Sequence, residues 1–172
     1  MPISINQMPD HALGNYPGRN LKVNYEEDIF VGYRWFDTKG IEPLYPFGFG
    51  LSYTNFNITN ATTDKKEFDQ NEEIVLKYTI KNTGKFDGAE VVQLYASQSR
   101  SSVIRPKKEL KGFQKVFLKA GEEKAVELKV KVKDLAFYDE KISNWKVESG
   151  EFVLHLGTSV KDIVSSVSVR VK

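Results

Sequence analysis

Cysteine is absent from the 172-residue sequence, which excludes disulfides and thiolate metal sites without choosing a compartment. Histidine is nearly absent too. With only His11 and His155, a catalytic triad or an imidazole-based metal site has little to draw on. No charge of one sign dominates: 25 Lys and Arg stand against 23 Asp and Glu, spread along the chain. No electrostatic footprint for nucleic acid is therefore expected. No apolar run approaches membrane-spanning length, so no membrane partner is expected. The opening Met1-Pro-Ile-Ser-Ile-Asn-Gln7 lacks the charged and then apolar stretch of a signal peptide. The compartment stays open, because an export signal of a longer parent chain would lie on its N-terminal side.

What the sequence has in quantity is aromatic side chains, eleven Phe and eight Tyr, and these concentrate at a junction. Pro43-Leu-Tyr-Pro-Phe-Gly-Phe-Gly-Leu-Ser-Tyr-Thr54 has neither helical nor strand periodicity. Pro43 and Pro46 fix φ and extend their predecessors, while Gly48 and Gly50 permit backbone angles that a side chain forbids. The stretch reads as an extended strap with a sharp turn. Tyr45, Phe47, Phe49 and Tyr53 are too many rings to leave in water, because loops are ordinarily small and polar, so the strap is expected to lie in a groove between two bodies, with Phe47, Phe49 and Tyr53 packed on the one that follows. Upstream, residues 1–20 carry three prolines and two glycines and read as irregular chain. Ile29-Phe-Val-Gly-Tyr-Arg-Trp-Phe36 reads as a strand buried on both faces, with Gly32 marking close backbone approach. Trp35 is expected to pack with Phe30 and Phe36, and Arg34 to pair with an acid or stack on a ring.

Beyond the strap, short alternating segments separated by turn residues predict an all-β sandwich of about seven strands. Phe56 and Ile58 open the first strand. Ile74, Leu76, Tyr78 and Ile80 then share one face. Asn82-Thr-Gly-Lys-Phe-Asp-Gly88 favours a tight turn. Strands are expected at 89–96, 109–118, 124–132, 145–147, 151–157 and 167–171, with a helical turn at 134–139 capped by Asp134. The core predicted from the alternation comprises Ile74, Leu76, Tyr78, Val92, Leu94, Val126, Leu128, Val130, Phe152, Leu154 and Leu156, together with Trp145. A chain of this length buries a proper core as one domain plus an arm.

The strap, with Tyr25-Glu-Glu-Asp-Ile-Phe-Val-Gly-Tyr-Arg-Trp-Phe-Asp37 before it and Asn82-Thr-Gly84 after it, resembles the C-terminal part of glycoside hydrolase family 3 enzymes, the β-glucosidases and β-xylosidases. Val91-Val-Gln-Leu-Tyr95, Arg105-Pro-Lys-Lys-Glu-Leu-Lys-Gly-Phe113, Ala120-Gly-Glu122 and Gly150-Glu-Phe152 stand in the matching order. The resemblance covers the chain from about Tyr16 onward. It implies that residues 1–42 are the tail of an α/β domain, 43–54 an interdomain strap, and 55–172 a fibronectin type III-like sandwich. It also implies that Phe30, Tyr33, Arg34, Trp35, Tyr45, Phe47, Gly48, Phe49, Gly50 and Tyr53 pack between domains. Trp145 resembles the family's core tryptophan. The loop from Ser97 to Pro106 is shorter than in relatives whose insertions reach toward the active site.

A glycosidase needs two carboxyl groups flanking the scissile bond. Glu26-Glu-Asp28 and Glu122-Glu123 are merely adjacent acids, expected on the surface. The family's nucleophile and acid/base motifs have no matching positions here, so no catalytic, cofactor-binding or metal-binding residue is assigned and no cofactor is expected. The chain reads as a non-catalytic structural module whose partners are the catalytic domains of its own parent chain. By the resemblance, that parent hydrolyses terminal non-reducing β-D-glucosides or related glycosides with retention. A carbohydrate-binding module is the alternative. Self-association through the arm is a further expectation, since a strand without its sheet seeks a partner edge.

Overall fold

A computed structural model describes residues 1–172. Two sheets face each other across one core. The smaller is built from β1 (Phe56–Thr63), β3 (Glu73–Asn82) and β6 (Glu123–Lys131) in the order β1-β3-β6. The larger contains β2 (Glu67–Phe68), β4 (Gly88–Ser97), β5 (Glu109–Leu118), β9 (Gly150–Gly157) and β10 (Ile163–Val171) in the order β2-β10-β9-β4-β5. A separate hairpin pairs β7 (Phe137–Asp139) with β8 (Asn144–Lys146). Apart from the short parallel β2–β10 contact, all pairings are antiparallel. The fold is the expected all-β sandwich.

Period-two alternation decides which faces meet. Ile74, Leu76, Tyr78 and Ile80 of β3 point inward and are all but fully buried, opposite Val130, Leu128, Val126 and Lys124 of β6. From the other sheet come Val92 and Leu94, Phe152, Leu154 and Leu156, and Val169 and Val171. The inward row of β3 thus packs against three strands of the facing sheet, the arrangement that lets two apolar faces exclude water together. Val126, near the strand's end, is only partly buried against this cluster. Burial holds the Tyr78 hydroxyl up at about 12, since the phenolate would lose its hydration there.

Three expectations need correction. Trp145 is not core: it is 68% exposed. The β7–β8 register sets it opposite Tyr138, and the two rings meet edge to face at 5.7 Å on a hairpin outside both main sheets. The turn near Asp134 is a 3₁₀ turn, Val132–Leu135, whose side chains provide no cap, and Phe137–Asp139 is strand. Finally, Ile29–Phe36 is not a strand. After Gly32, at φ 57° and ψ −134°, the chain forms helix α2 (Tyr33–Lys39), preceded by a single-turn helix α1 (Pro9–Ala12) in the arm. Gly32 occupies a backbone region closed to side chains, so strand geometry ends there. Residues four apart, Tyr33 and Asp37, then both reach the sandwich.

Emptying the Leu128 site should destabilise the protein strongly. We expect Leu128→Ala to cost about 2–5 kcal/mol in a urea titration. Trp145→Ala should cost under about 1 kcal/mol, as for other exposed positions. Equal losses would contradict the assigned faces.

Candidate functional site

The arm and strap lie on the outer face of the five-stranded sheet, and they are held there by specific contacts. Helix α2 is fixed at its first and second turns. The Leu110 amide donates to the Tyr33 hydroxyl at 2.8 Å, Lys108 Nζ reaches Asp37 Oδ1 at 3.0 Å, and the Lys107 amide donates to Thr38 Oγ1 at 3.2 Å. Tyr33 stacks on Phe47 at 4.8 Å and meets Tyr95 edge-on at 6.0 Å, so one ring joins helix, strap and sheet. Trp35 is buried by the N-terminal segment: its indole N–H donates to the Gln7 carbonyl at 3.0 Å and Lys39 lies over its ring. Phe30 and Phe36 are half-buried. Arg34 lines a groove of about 1390 Å³ between the arm and the β7–β8 hairpin, and has no ion-pair partner.

The strap docks through its backbone more than through its rings. Gly48 has φ +86° and presses onto Gln93; a Cβ there would run into the side-chain amide. That amide is held rigidly, donating to the Thr158 carbonyl at 2.6 Å and accepting from the Tyr95 hydroxyl. The Val160 amide donates to the Phe47 carbonyl at 3.0 Å. Of the strap rings, Phe47 is half-covered, Tyr45 and Phe49 stack on each other at 5.4 Å, and Tyr53 is 98% exposed. The expectation that Tyr53 packs on the sandwich is therefore wrong, while Phe49 is half-covered like Phe47. Thr54 is the buried residue, and the chain bends at Tyr53 and Thr54, turning one side chain in and the other out. Gly50 has ordinary φ and open space where a Cβ would go, so it plays no part comparable to Gly48.

Two buried polar residues entered the sequence reading only as parts of longer motifs. Asn82 is fully buried. Its Oδ1 accepts from Thr54 Oγ1 at 2.6 Å and from the Gly84 amide at 3.0 Å, and its Nδ2 donates to the Phe86 and Leu118 carbonyls at 2.8 and 3.2 Å. Arg105 is the second. It binds Glu109 at 2.9 Å, Gln98 Oε1 at 3.0 Å and the Leu135 carbonyl at 2.9 Å, with Lys111 closing on Glu109 from the other side at 3.0 Å. Burial alone would raise the Glu109 carboxyl, but Lys111 and Arg105 outweigh it and hold the group below its ordinary range. A buried Asn with several acceptors in reach, and a basic run interrupted by one Glu, were the available signals.

His155 Nε2 lies 2.8 Å from Ser97 Oγ and Nδ1 lies 2.9 Å from Ser166 Oγ, so both ring nitrogens are occupied by hydroxyls and no carboxylate orients the ring. Burial, and secondarily Lys108, push the imidazole below its ordinary value. His11 contacts Asp10 and Tyr16. Glu26, Asp28 and Glu123 are exposed, and Glu122 caps the turn at the Lys119 amide. No group of three His, Asp or Glu converges as a metal site.

Two outcomes are expected. Gly48→Ala should cost more than about 1 kcal/mol, because strain at positive φ and collision with Gln93 exceed the unfolded-state entropy gain, whereas Gly50→Ala should cost far less. Paired thermal melts distinguish them. For His155, the depressed folded value means the unfolded chain takes up more protons as pH falls through the histidine range near 6.5. Stability should therefore fall on acidification through that range, and His155→Gln should lose less over the same interval.

Comparisons with known proteins agree with this arrangement. Residues 90–160 match the fibronectin type III-like domain family. The chain is 49% identical to the thermostable β-glucosidase B of Acetivibrio thermocellus over 99% of its own length and 22% of that protein. It is 42% identical to an exo-α-(1→6)-L-arabinopyranosidase of Bifidobacterium breve, over 100% of this chain and 22% of that protein. Among solved structures it superposes on a Bifidobacterium adolescentis family 3 β-glucosidase with a TM-score of 0.91 at 40% identity, covering 99% of this chain and 25% of that one. The chain thus spans about a quarter or less of the relatives it matches. It belongs to the glycoside hydrolase family 3 lineage, homologous to the C-terminal, fibronectin type III-like region of its β-glucosidases.

Proposed function

We propose that the chain is a non-catalytic structural module of a longer family 3 glycoside hydrolase, supporting its catalytic domains rather than touching the substrate. In this reading residues 1–42 are the tail of a preceding α/β domain, 43–54 the strap, and 55–172 the sandwich. The parent hydrolyses terminal non-reducing β-D-glucosides or related glycosides with retention. The arabinopyranosidase among the relatives shows that the family text in this region does not distinguish one glycoside from another. Sandwiches of this kind bury apolar surface of neighbouring bodies and hold them in register.

One observation carries the reading: a chain homologous to complete enzymes over only 22% of their length leaves large apolar side chains of its strap in water. Leu51 and Tyr53 are 92% and 98% exposed, as expected of a surface that another body covers in the intact protein. The residues proposed for interdomain packing are Phe30, Tyr33, Arg34, Trp35, Tyr45, Phe47, Gly48, Phe49, Gly50 and Tyr53; of these Tyr45, Phe47, Phe49 and Tyr53 belong to this exposed surface, whereas Trp35 is buried within the chain. The alternative of a carbohydrate-binding module has less support, because the exposed Trp145 stands edge-on to Tyr138 and the two rings form no flat platform for a sugar. Self-association through the arm loses its original argument, since Ile29–Phe36 offers no free strand edge. The exposed strap rings remain its only support, and light scattering on the purified chain decides it.

The purified chain is expected to show no turnover of aryl β-glucosides or β-xylosides, and deletion of residues 43–172 from the parent is expected to abolish its activity or sharply lower its thermal stability. Turnover lost on substituting one Asp or Glu of this chain would overturn the proposal, as would a truncated parent with full activity and stability.

A further inference from the structure

The two outer faces of the sandwich differ in the chemistry they offer a neighbour. On the three-stranded sheet the face is a ladder of opposite charges that satisfies itself: Lys77 with Glu127 at 3.5 Å, Lys81 with Glu123 at 3.8 Å, and Lys129 with Glu73 at 3.7 Å. All six side chains are well exposed. Burying such a ladder under another domain would strip hydration from six charges for little Coulombic return.

The five-stranded sheet is the opposite case. On its edge strand β5, Phe113 and Phe117 point outward, 67% and 57% exposed. Register ties both to the strap. Phe113 lies opposite Gln93, the residue beneath Gly48, and Phe117 lies opposite Ala89, beside the Gly88 that packs on Thr54 and Ser52. The two phenylalanines therefore extend the exposed strap side chains of Leu51 and Tyr53, and the half-exposed ring of Phe49, into one apolar band running from the strap across the sheet edge. Aromatic residues with few charges among them are the composition of the centre of a protein interface, and lysine–glutamate ladders are not.

We infer that, if the chain is the module of a longer enzyme as proposed above, the rest of that enzyme's own chain seats on this band and leaves the three-stranded sheet in water. The occupant is a body in cis, because the relatives carry most of their length outside the matched segment. Its contacting surface is apolar and weakly charged, since the band offers it rings and only Lys115 between Phe113 and Phe117. Phe113 and Phe117 act as anchors of the interface and contribute little to the sandwich itself.

The test compares the same substitutions in two settings. Phe113→Lys together with Phe117→Lys, made in the full-length parent, should lower its midpoint of thermal inactivation by several degrees. In the isolated chain the same pair should leave the melting temperature unchanged. Lys77→Ala with Lys129→Ala should leave the parent's inactivation midpoint unchanged. The inference is overturned if the phenylalanine pair is silent in the parent, if it destabilises the isolated chain equally, or if the lysine pair is the one that weakens the parent. A parent that also tolerates deletion of residues 43–172 would instead overturn the reading on which the inference rests.

Discussion

A single buried amide holds the end of the strap to the sandwich. Asn82 ends the central strand of the smaller sheet, yet its side chain spends both lone pairs and both protons elsewhere: on Thr54 at the end of the strap, on the Gly84 amide and Phe86 carbonyl of the following turn, and on the Leu118 carbonyl at the end of β5. With no exposure, it has no water to fall back on. Each of its partners would otherwise carry the cost of an unsatisfied buried polar group. One side chain therefore fixes the β3–β4 turn and the place where the strap leaves the sandwich, and links both to the edge strand of the opposite sheet.

The second constraint is electrostatic and fixes the other end of the arm. Of the five charged side chains between Arg105 and Phe113, four find ion-pair partners. Arg105 and Lys111 enclose Glu109 beneath the surface, and Lys108 turns outward to Asp37 on α2. Buried ion pairs contribute little net stability because desolvation cancels most of their attraction, but removing one member leaves a charge stranded. Their effect is positional. They seat a seven-residue helix, too short to be stable alone, at a set place on the sheet. Tyr33 and Phe47 then join the helix to the strap.

The sandwich was legible because half-buried strands write their faces into the sequence. The alternations Ile74-Leu76-Tyr78 and Phe152-Leu154-Leu156 went to the core as read. The arm was less legible. Ile29–Phe36 is apolar throughout, and a short apolar run does not tell strand from helix. Only the positive φ at Gly32 and the i, i+4 spacing of Tyr33 and Asp37 decide it, and both become visible with the sheet in place. Trp145 misled because a large ring is ordinarily core, whereas here it sits on a hairpin that belongs to neither main sheet. In the strap, the glycine at Gly48 was legible and the fate of the rings was not. Leu51 and Tyr53 carry the signature of buried residues while lying in water, and on the proposed reading the rest of the parent chain covers them.

On the proposed reading, arm, strap and sandwich form one rigid platform on which the rest of a larger enzyme rests. Native-state hydrogen exchange of the isolated chain tests this most directly, because two sheet-side amides report on the docking: Val160 donates to the Phe47 carbonyl and Leu110 to the Tyr33 hydroxyl. If the platform is one cooperative unit, these amides exchange with opening free energies close to those of core amides such as Leu128. Exchange of Val160 and Leu110 at the rate of a frayed loop, with the core still protected, would contradict it and leave the arm a tether rather than a part of the module.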